Sequence, residues 1–176
     1  MARDVWVFDQ SVRVQAESHG AGTGLREPVA FVHNGFTERS AWQRVRDLLP
    51  VLDAACLAAG KMALVNVWRP IGASAERFPL AAANGRSMPP ADHVAVDMIY
   101  ADRVGEGCRC TDSAGQGWFY VGGIRNDEAM LLKCFDSAAD GRTCHTAHTG
   151  FENPAAAPDA PPRRSIEVRA ILAFDA

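Results

Sequence analysis

Three histidines lie beside segments with strand-like sequences and could take part in a metal site. His33 ends the run PVAFVH at residues 28–33, while His145 and His148 lie in CHTAH at 144–148. Two histidines from distant strands and one carboxylate form the metal site of non-haem iron(II) oxygenases. The carboxylate normally follows the first histidine by two residues, because positions i and i+2 of a strand point to the same side. Here that position is Gly35, which has no ligand atom, so two unrelated structural histidines are the alternative.

The same stretch carries a turn signal. Asn34 and Gly35 form the dipeptide that most strongly predicts a type I′ hairpin turn, in which both central residues need positive φ. A turn at this point is compatible with His33 facing the interior of a barrel.

Arg163 and Ser165 lie two residues apart near the C-terminus and could hold a carboxylate. A guanidinium group can bind both oxygens of a carboxylate, and a neighbouring hydroxyl can complete the site. In enzymes that use 2-oxoglutarate, such a pair holds the carboxylate that lies far from the metal. A solvated basic strand edge that limits sheet pairing is the alternative.

Several of the candidate site residues lie in or next to predicted strands. The strand-like segments are 28–33, 62–68, 117–124 and 163–174. The last alternates, with Ile166 and Val168 on one face and Ser165, Glu167 and Arg169 on the other.

Helices are predicted at 37–61 and 126–135. The first begins with a capping box at Thr37 and Ser40 and is interrupted by Pro50. The second could equally be a strand, and the proline-rich segment 150–164 is predicted to be a loop. We therefore expect a single domain over residues 1–176 with a mainly β, jelly-roll core and flanking helices.

Composition excludes several classes of function. The 176 residues are 48% hydrophobic and 22% charged, with a net charge of −3, so nothing favours binding to polymeric nucleic acid or a membrane. The N-terminus does not resemble a signal peptide, and no apolar run is long enough to span a bilayer, which predicts a cytoplasmic protein. The five cysteines, among them the pair Cys108 and Cys110, are expected to be reduced.

Five blocks of sequence together resemble one family. They are NVWRPI (66–71), FPLAAANGRSM (78–88), GWFYVGGIRNDEAMLLKCFDS (117–137), CHTAH (144–148) and PRRSIEVRAILAF (162–174). In this order they are similar to the AsaB/CmcJ-like hydroxylase–desaturases, small iron(II)/2-oxoglutarate enzymes of secondary metabolism. The resemblance implies a double-stranded β-helix fold and dependence on iron(II), 2-oxoglutarate and O2.

The resemblance also implies roles for individual residues. His33 matches the first iron ligand and His145 the second, while His148 is expected in the pocket wall, with the choice between His145 and His148 left open. The positions that match the 2-oxoglutarate pocket are Arg163 and Ser165, with Asn66, Trp68, Arg69 and Arg169 as further candidates.

The departure from the family pattern falls on the metal carboxylate. The pattern is close to His-Asn-Asp-aromatic-Thr, and this chain has Gly35 in place of the aspartate. Without a carboxylate and without a Cβ, a chloride ion could bind beside the metal. Iron/2-oxoglutarate halogenases resemble hydroxylases with His-x-Gly or His-x-Ala, so we expect a halogenase. The alternatives are a hydroxylase/desaturase, a catalytically impaired pseudoenzyme, or a non-catalytic β-domain.

The substrate is expected to be a free small molecule. The size and the His-Asn-Gly motif are similar to nucleotide halogenases that act at the 2′ position of 2′-deoxyadenosine monophosphate (dAMP). Phe36 or Trp118 would then stack on the base, and the candidates for the phosphate are Arg39, Arg69, Arg125, Arg142 and Arg164.

Overall fold

Antiparallel strands make up most of the computed structural model, which describes residues 1–15, 25–48, 60–101 and 104–175. In chain order the strands are β1 (Asp4–Val14), β2 (His33–Asn34), β3 (Lys61–Pro70), β4 (Leu80–Ala83), β5 (His93–Ile99), β6 (Val104–Cys110), β7 (Trp118–Tyr120), β8 (Met130–Asp136), β9 (His148–Gly150) and β10 (Arg164–Phe174). Helix α1 (Glu38–Leu48) follows β2, and short 3-10 helices lie at Gly85–Ser87 and Pro90–Asp92.

The strands form two sheets that pack face to face. One has the order β1-β10-β3-β8, and the other has the order β5-β6-β2-β9-β4-β7. Trp68 and Leu132 of the first sheet pack against Leu80 and Ala82 of the second, which places a core between them. The predicted mainly β, jelly-roll fold is confirmed.

The interior beside the inner face of the four-stranded sheet has an apolar half and a polar half. At one end Met62, Leu64 and Ile171 pack with Ala41 and Val45, two residues that share one face of α1. At the other end polar side chains point inward from the four-stranded sheet: Ser11, Asn66, Ser165, Glu167 and Arg169. Burying polar groups is costly unless they find partners, so this half, which we call the chamber, is where a site is expected.

The predicted strands at 62–68 and 163–174 are confirmed as β3 and β10, while those at 28–33 and 117–124 are much shorter than expected. Of the two structures predicted for 126–135, the helix is wrong and the strand is confirmed, because residues 130–136 form β8 and pair with β3. The apolar residues of MLLKCF fit both the repeat of a helix and the alternation of a strand. Pairing with a neighbouring strand decides which of the two forms. Helix α1 begins as predicted: the backbone N–H of Ser40 donates to Thr37 Oγ1, and that of Thr37 donates to Ser40 Oγ. The predicted break at Pro50 lies outside the described residues.

The type I′ turn predicted at Asn34 and Gly35 is wrong. Neither residue has a positive φ. Instead the Asn34 side chain is buried, and its Nδ2 donates to the carbonyls of Phe36 (2.6 Å) and Cys134 (2.7 Å). The bond to Cys134 ties the end of β2 to β8 across the interior.

Two further observations concern the cysteines and the possibility of a membrane-spanning helix. The four described cysteines, Cys108, Cys110, Cys134 and Cys144, are free thiols. Within the described ranges, no helix has the length and apolar character needed to cross a bilayer.

Candidate functional site

His33 and His148 lie side by side in the chamber. They are directly opposite each other in the pairing of β2 with β9, and their ring centroids are 4.5 Å apart. Directly opposed residues of an antiparallel pair share one face, so both imidazoles point the same way. His148 is opposite Ala82 in the pairing of β4 with β9, and Ala82 packs with Trp68 of the four-stranded sheet, so both rings point toward that sheet.

The two imidazoles are held in the same tautomer. Nδ1 of His33 donates to the carbonyl of Phe31 (3.0 Å), and Nδ1 of His148 donates to the carbonyl of Thr146 (2.9 Å). A carbonyl oxygen can only accept, so in each ring Nδ1 carries the proton and Nε2 keeps its lone pair. A backbone carbonyl that orients the second ring nitrogen in this way is typical of histidines that bind metals.

Both rings are neutral near pH 7. Burial, followed by the neighbouring His148, lowers the pKa of His33 to about 4. Burial also lowers the pKa of His148, whose side chain is 2% exposed. Only neutral imidazole binds a metal, so the pair fits a divalent cation such as iron(II).

His145 lies in a different cluster. Its ring packs against His93 (centroids 5.6 Å apart) and Phe135 (5.9 Å), and its Nε2 lies 3.9 Å from the Cys144 sulfur. The structure therefore brings His148, rather than His145, next to His33.

His145 should make the fold sensitive to acid. Burial lowers its pKa to about 4, whereas an unfolded histidine titrates near 6.5. As the pH falls from about 6.5 to about 4 the unfolded chain gains a proton that the folded chain does not bind, so stability decreases in this window. We expect the Tm measured by circular dichroism to fall less over this window in His145→Gln than in the wild type. An unchanged pH profile would contradict this prediction.

Gly35 follows the first histidine at the position where a carboxylate ligand would lie. A Cβ built on Gly35 would lie 3.8 Å from the Cys134 sulfur, which is an ordinary contact. Because φ is not positive either, neither space nor backbone conformation requires glycine here. Across the described part of the chain, no three His, Cys, Asp or Glu side chains are grouped to hold a metal ion.

Arg163 and Ser165 are buried together at the chamber. The two side chains are 3% and 1% exposed, and Arg163 Nε donates to Ser165 Oγ (3.0 Å). Arg163 also donates to the Phe78 carbonyl (3.3 Å), and its guanidinium lies 5.0 Å above the Trp68 ring. Burial lowers its pKa to about 10, which still leaves it charged. Among the described side chains no carboxylate pairs with it, so it can accept an anionic ligand.

The other residues expected in the cosubstrate pocket divide into two groups. Asn66 and Trp68 are buried on the inner face of β3. Arg169 also points inward, but it forms ion pairs with Glu167 and Asp9. Arg69 lies on the outer face of β3, where it is exposed and donates to the Asn126 carbonyl. Arg69 is thus not in the chamber, because the alternation of the strand turns it away.

The arginines expected to bind phosphate do not reach the histidine pair. Exposed ion pairs join Arg39 to Glu106, Arg125 to Asp127 and Arg142 to Asp140, and Arg164 is exposed on the face of β10 opposite Arg163. The aromatic candidates also pack elsewhere. Phe36 contacts the apolar cluster around α1, and Trp118 packs with Ala83 and Met88, on the face of the six-stranded sheet opposite His148.

Phe31 and Arg109 continue from the histidine pair to the surface and were not predicted. The Phe31 ring centroid lies 5.4 Å from that of His33, and the Arg109 guanidinium lies 4.2 Å above the Phe31 ring. Both side chains are exposed. Phe31 precedes His33 by two residues, which could have indicated a shared face, but Arg109 reaches it only through the pairing of β2 with β6.

Comparison with known proteins identifies the family. Residues 1–173 match a family described as oxidoreductase/YMDC permease-like domain. The aspirochlorine biosynthesis protein N of Aspergillus oryzae is 34% identical over 77% of the chain, and the hydroxylase/desaturase asaB of Aspergillus flavus is 32% identical over 74%. The chain belongs to the hydroxylase/desaturase family of iron(II)/2-oxoglutarate enzymes.

A solved structure of a relative supports this assignment to the hydroxylase/desaturase family. The iron and alpha-ketoglutarate-dependent endoperoxidase NvfI superposes with a TM-score of 0.91 at 28% identity, over 99% of this chain and 64% of that one. The chain spans 57% and 63% of the lengths of the A. oryzae and A. flavus relatives.

Proposed function

We propose that this protein is an iron(II)/2-oxoglutarate-dependent halogenase that chlorinates an unactivated carbon of a free small molecule. The observation that carries the proposal is Gly35 beside an otherwise complete site. His33 and His148 have free Nε2 atoms, and Arg163 with Ser165 is ready to receive a carboxylate. A pseudoenzyme would have no use for these retained features.

In this proposal His33 and His148 are the iron ligands. Their ring contact and matching tautomers support this pair over the pair of His33 and His145 expected from the resemblance. Iron(II), when bound with 2-oxoglutarate and O2, supplies the oxidising power that removes a hydrogen atom from an unactivated carbon.

The position left by the carboxylate is where chloride binds. Two neutral imidazoles bring no negative charge to a buried dication, and an uncompensated charge in the interior is costly. An aspartate at Gly35 would supply that charge. Because Gly35 has no side chain, a small anion can occupy this space and supply the missing negative charge. The anion would then lie close to the substrate.

The chain's own residues supply binding and orientation. Arg163 and Ser165 would hold the far carboxylate of 2-oxoglutarate, and His33 and His148 would hold the iron that its 2-oxo acid end binds. Asn34 anchors the segment that precedes Gly35 through two backbone carbonyls and so holds the halide position relative to His33. Phe31 and Arg109, which lie at the surface beside His33, would then influence which substrate reaches the metal.

A single reaction separates halogenase from hydroxylase/desaturase. The protein is loaded anaerobically with iron(II), 2-oxoglutarate, chloride and a candidate substrate, and O2 starts the reaction. Mass spectrometry then measures succinate and a chlorinated product, and bromide should give the corresponding brominated product. A hydroxylated or desaturated product with chloride in excess would establish the alternative that the names of several relatives favour. No succinate with any substrate would support a non-catalytic protein.

We propose dAMP as the first substrate to test, with a change in the residues that recognise it. Phe31 and Arg109 lie next to His33, whereas the phosphate candidates chosen from sequence lie elsewhere. An exposed aromatic ring can stack on a base, and a guanidinium group can pair with a phosphate.

Arg109→Gln should raise the KM for dAMP by about 10- to 100-fold, since a charge-assisted hydrogen bond contributes roughly 1.5–3 kcal/mol. The measurement is turnover of dAMP and of 2′-deoxyadenosine by wild type and variant, with Arg142→Gln as a surface control. Equal turnover of nucleoside and nucleotide by the wild type would contradict phosphate recognition.

A further inference from the structure

Arg13 of β1 reaches the chamber beside Arg163 and Ser165. It is directly opposite Ser165 in the pairing of β1 with β10, so the two side chains share the inner face. Burial is the main cause that lowers the pKa of Arg163, and the charge of Arg13 is the next largest. One Arg13 N–H donates to the Glu27 carbonyl (2.8 Å), which leaves further N–H groups of the guanidinium for a ligand.

Two buried polar atoms flank the same place and have no partner among the described residues. Ser11 and Trp68 lie on either side of Glu167 in the sheet, and Ser11 Oγ and Trp68 Nε1 make no hydrogen bond. An indole N–H can only donate, and leaving a buried donor without an acceptor is unfavourable. Both atoms can donate to an acceptor held in the chamber.

The chamber also has more positive than negative side chains, which favours binding of an anion. Three guanidinium groups, Arg13, Arg163 and Arg169, face two carboxylates, Glu167 and Asp9. Both carboxylates are engaged by Arg169, and the Asp9 side chain is 48% exposed. Glu167 offsets part of the remaining positive charge on Arg13 and Arg163. A surplus of positive charge is still unfavourable in a buried site unless an anion lies there.

We propose that Arg13, assisted by Ser11 or the indole N–H of Trp68, binds the same carboxylate that Arg163 and Ser165 hold. This inference rests on the proposed use of 2-oxoglutarate and adds a second guanidinium, from the N-terminal strand, to its site. One carboxylate offers about four lone-pair positions, which the two guanidinium groups, the Ser165 hydroxyl and one of the two unpaired donors, Ser11 or Trp68, would fill. The arrangement selects a dicarboxylic 2-oxo acid over a monocarboxylic one.

The test compares two ligands that differ only in that carboxylate. Isothermal titration calorimetry of the iron(II)-loaded protein, under argon, measures the affinity for 2-oxoglutarate and for 2-oxopentanoate, which has the same chain length without the far carboxylate. Arg13→Gln should weaken 2-oxoglutarate binding by about 10- to 100-fold and leave 2-oxopentanoate binding within about twofold. Arg163→Gln should behave in the same way.

Arg26→Gln is the matched control. Arg26 is exposed and forms a backbone bridge with Arg13, so its variant removes the same charge nearby without removing a chamber contact. It should bind 2-oxoglutarate like the wild type. Wild-type affinity in Arg13→Gln, or an equal loss for both ligands, would overturn the inference. Failure of the wild-type protein to bind 2-oxoglutarate would overturn the proposed function and this inference with it.

Discussion

His148→Gln should abolish iron(II) binding and 2-oxoglutarate turnover, whereas His145→Gln should retain both. His148 lies 4.5 Å from His33, ring centroid to ring centroid, and its Nε2 is free because Nδ1 donates to the Thr146 carbonyl. Removing one of only two protein ligands should lower iron affinity by more than about 100-fold, beyond the loss typical of mutating residues that merely orient a ligand. His145 packs among His93, Phe135 and Cys144 and supplies no ligand in this assignment.

Anaerobic equilibrium dialysis followed by metal analysis measures the affinity directly. Circular dichroism on each variant shows whether the fold is kept, since His148 is buried. His33→Gln should match His148→Gln in metal content. If His145→Gln loses iron while His148→Gln keeps it, the ligand assignment expected from the resemblance is correct and ours is wrong.

Gly35→Asp should abolish chlorination and tighten iron(II) binding. The new carboxylate occupies the coordination position proposed for chloride and supplies the negative charge that two neutral imidazoles lack. Its Cβ would lie 3.8 Å from the Cys134 sulfur, an ordinary contact, so the first atom of the new side chain displaces no neighbour. We expect a decrease of at least about 100-fold in chlorinated product, succinate formation without dependence on chloride, and a shift toward hydroxylated product.

Gly35→Ala distinguishes the effect of a new metal ligand at position 35 from the effect of added side-chain volume. Alanine adds the same Cβ without a ligand atom, so chloride can still bind and chlorination should persist. Products of both variants are quantified by mass spectrometry across a range of chloride concentrations. Wild-type chlorination by Gly35→Asp would show that the position does not hold the halide, and the hydroxylase/desaturase alternative would then be favoured.

The sequence alone identified features that depend on close spacing along the chain. Arg163 and Ser165 are two residues apart on one strand, and strand alternation is enough to place them on one face. The same alternation links Gly35 to His33, so the sequence alone shows that no carboxylate follows His33 on its face. Alternation did not show which face of β10 is buried. The apolar Ile166 and Val168 are half-buried, while the polar Ser165 and Glu167 point into the chamber.

Pairing between distant strands decided the rest. His145 and His148 are three residues apart, and only the register of β2 with β9 shows that His148 meets His33. Arg109 and Arg13 reach the site through β6 and β1, which the sequence did not identify as strands.

The division has a physical reason. The residue types, their spacing and the missing carboxylate at Gly35 are local, so they can be read from the sequence. The partner of His33, and the choice of buried over exposed arginines, depend on contacts between segments far apart in the chain. Only the tertiary structure contains those contacts.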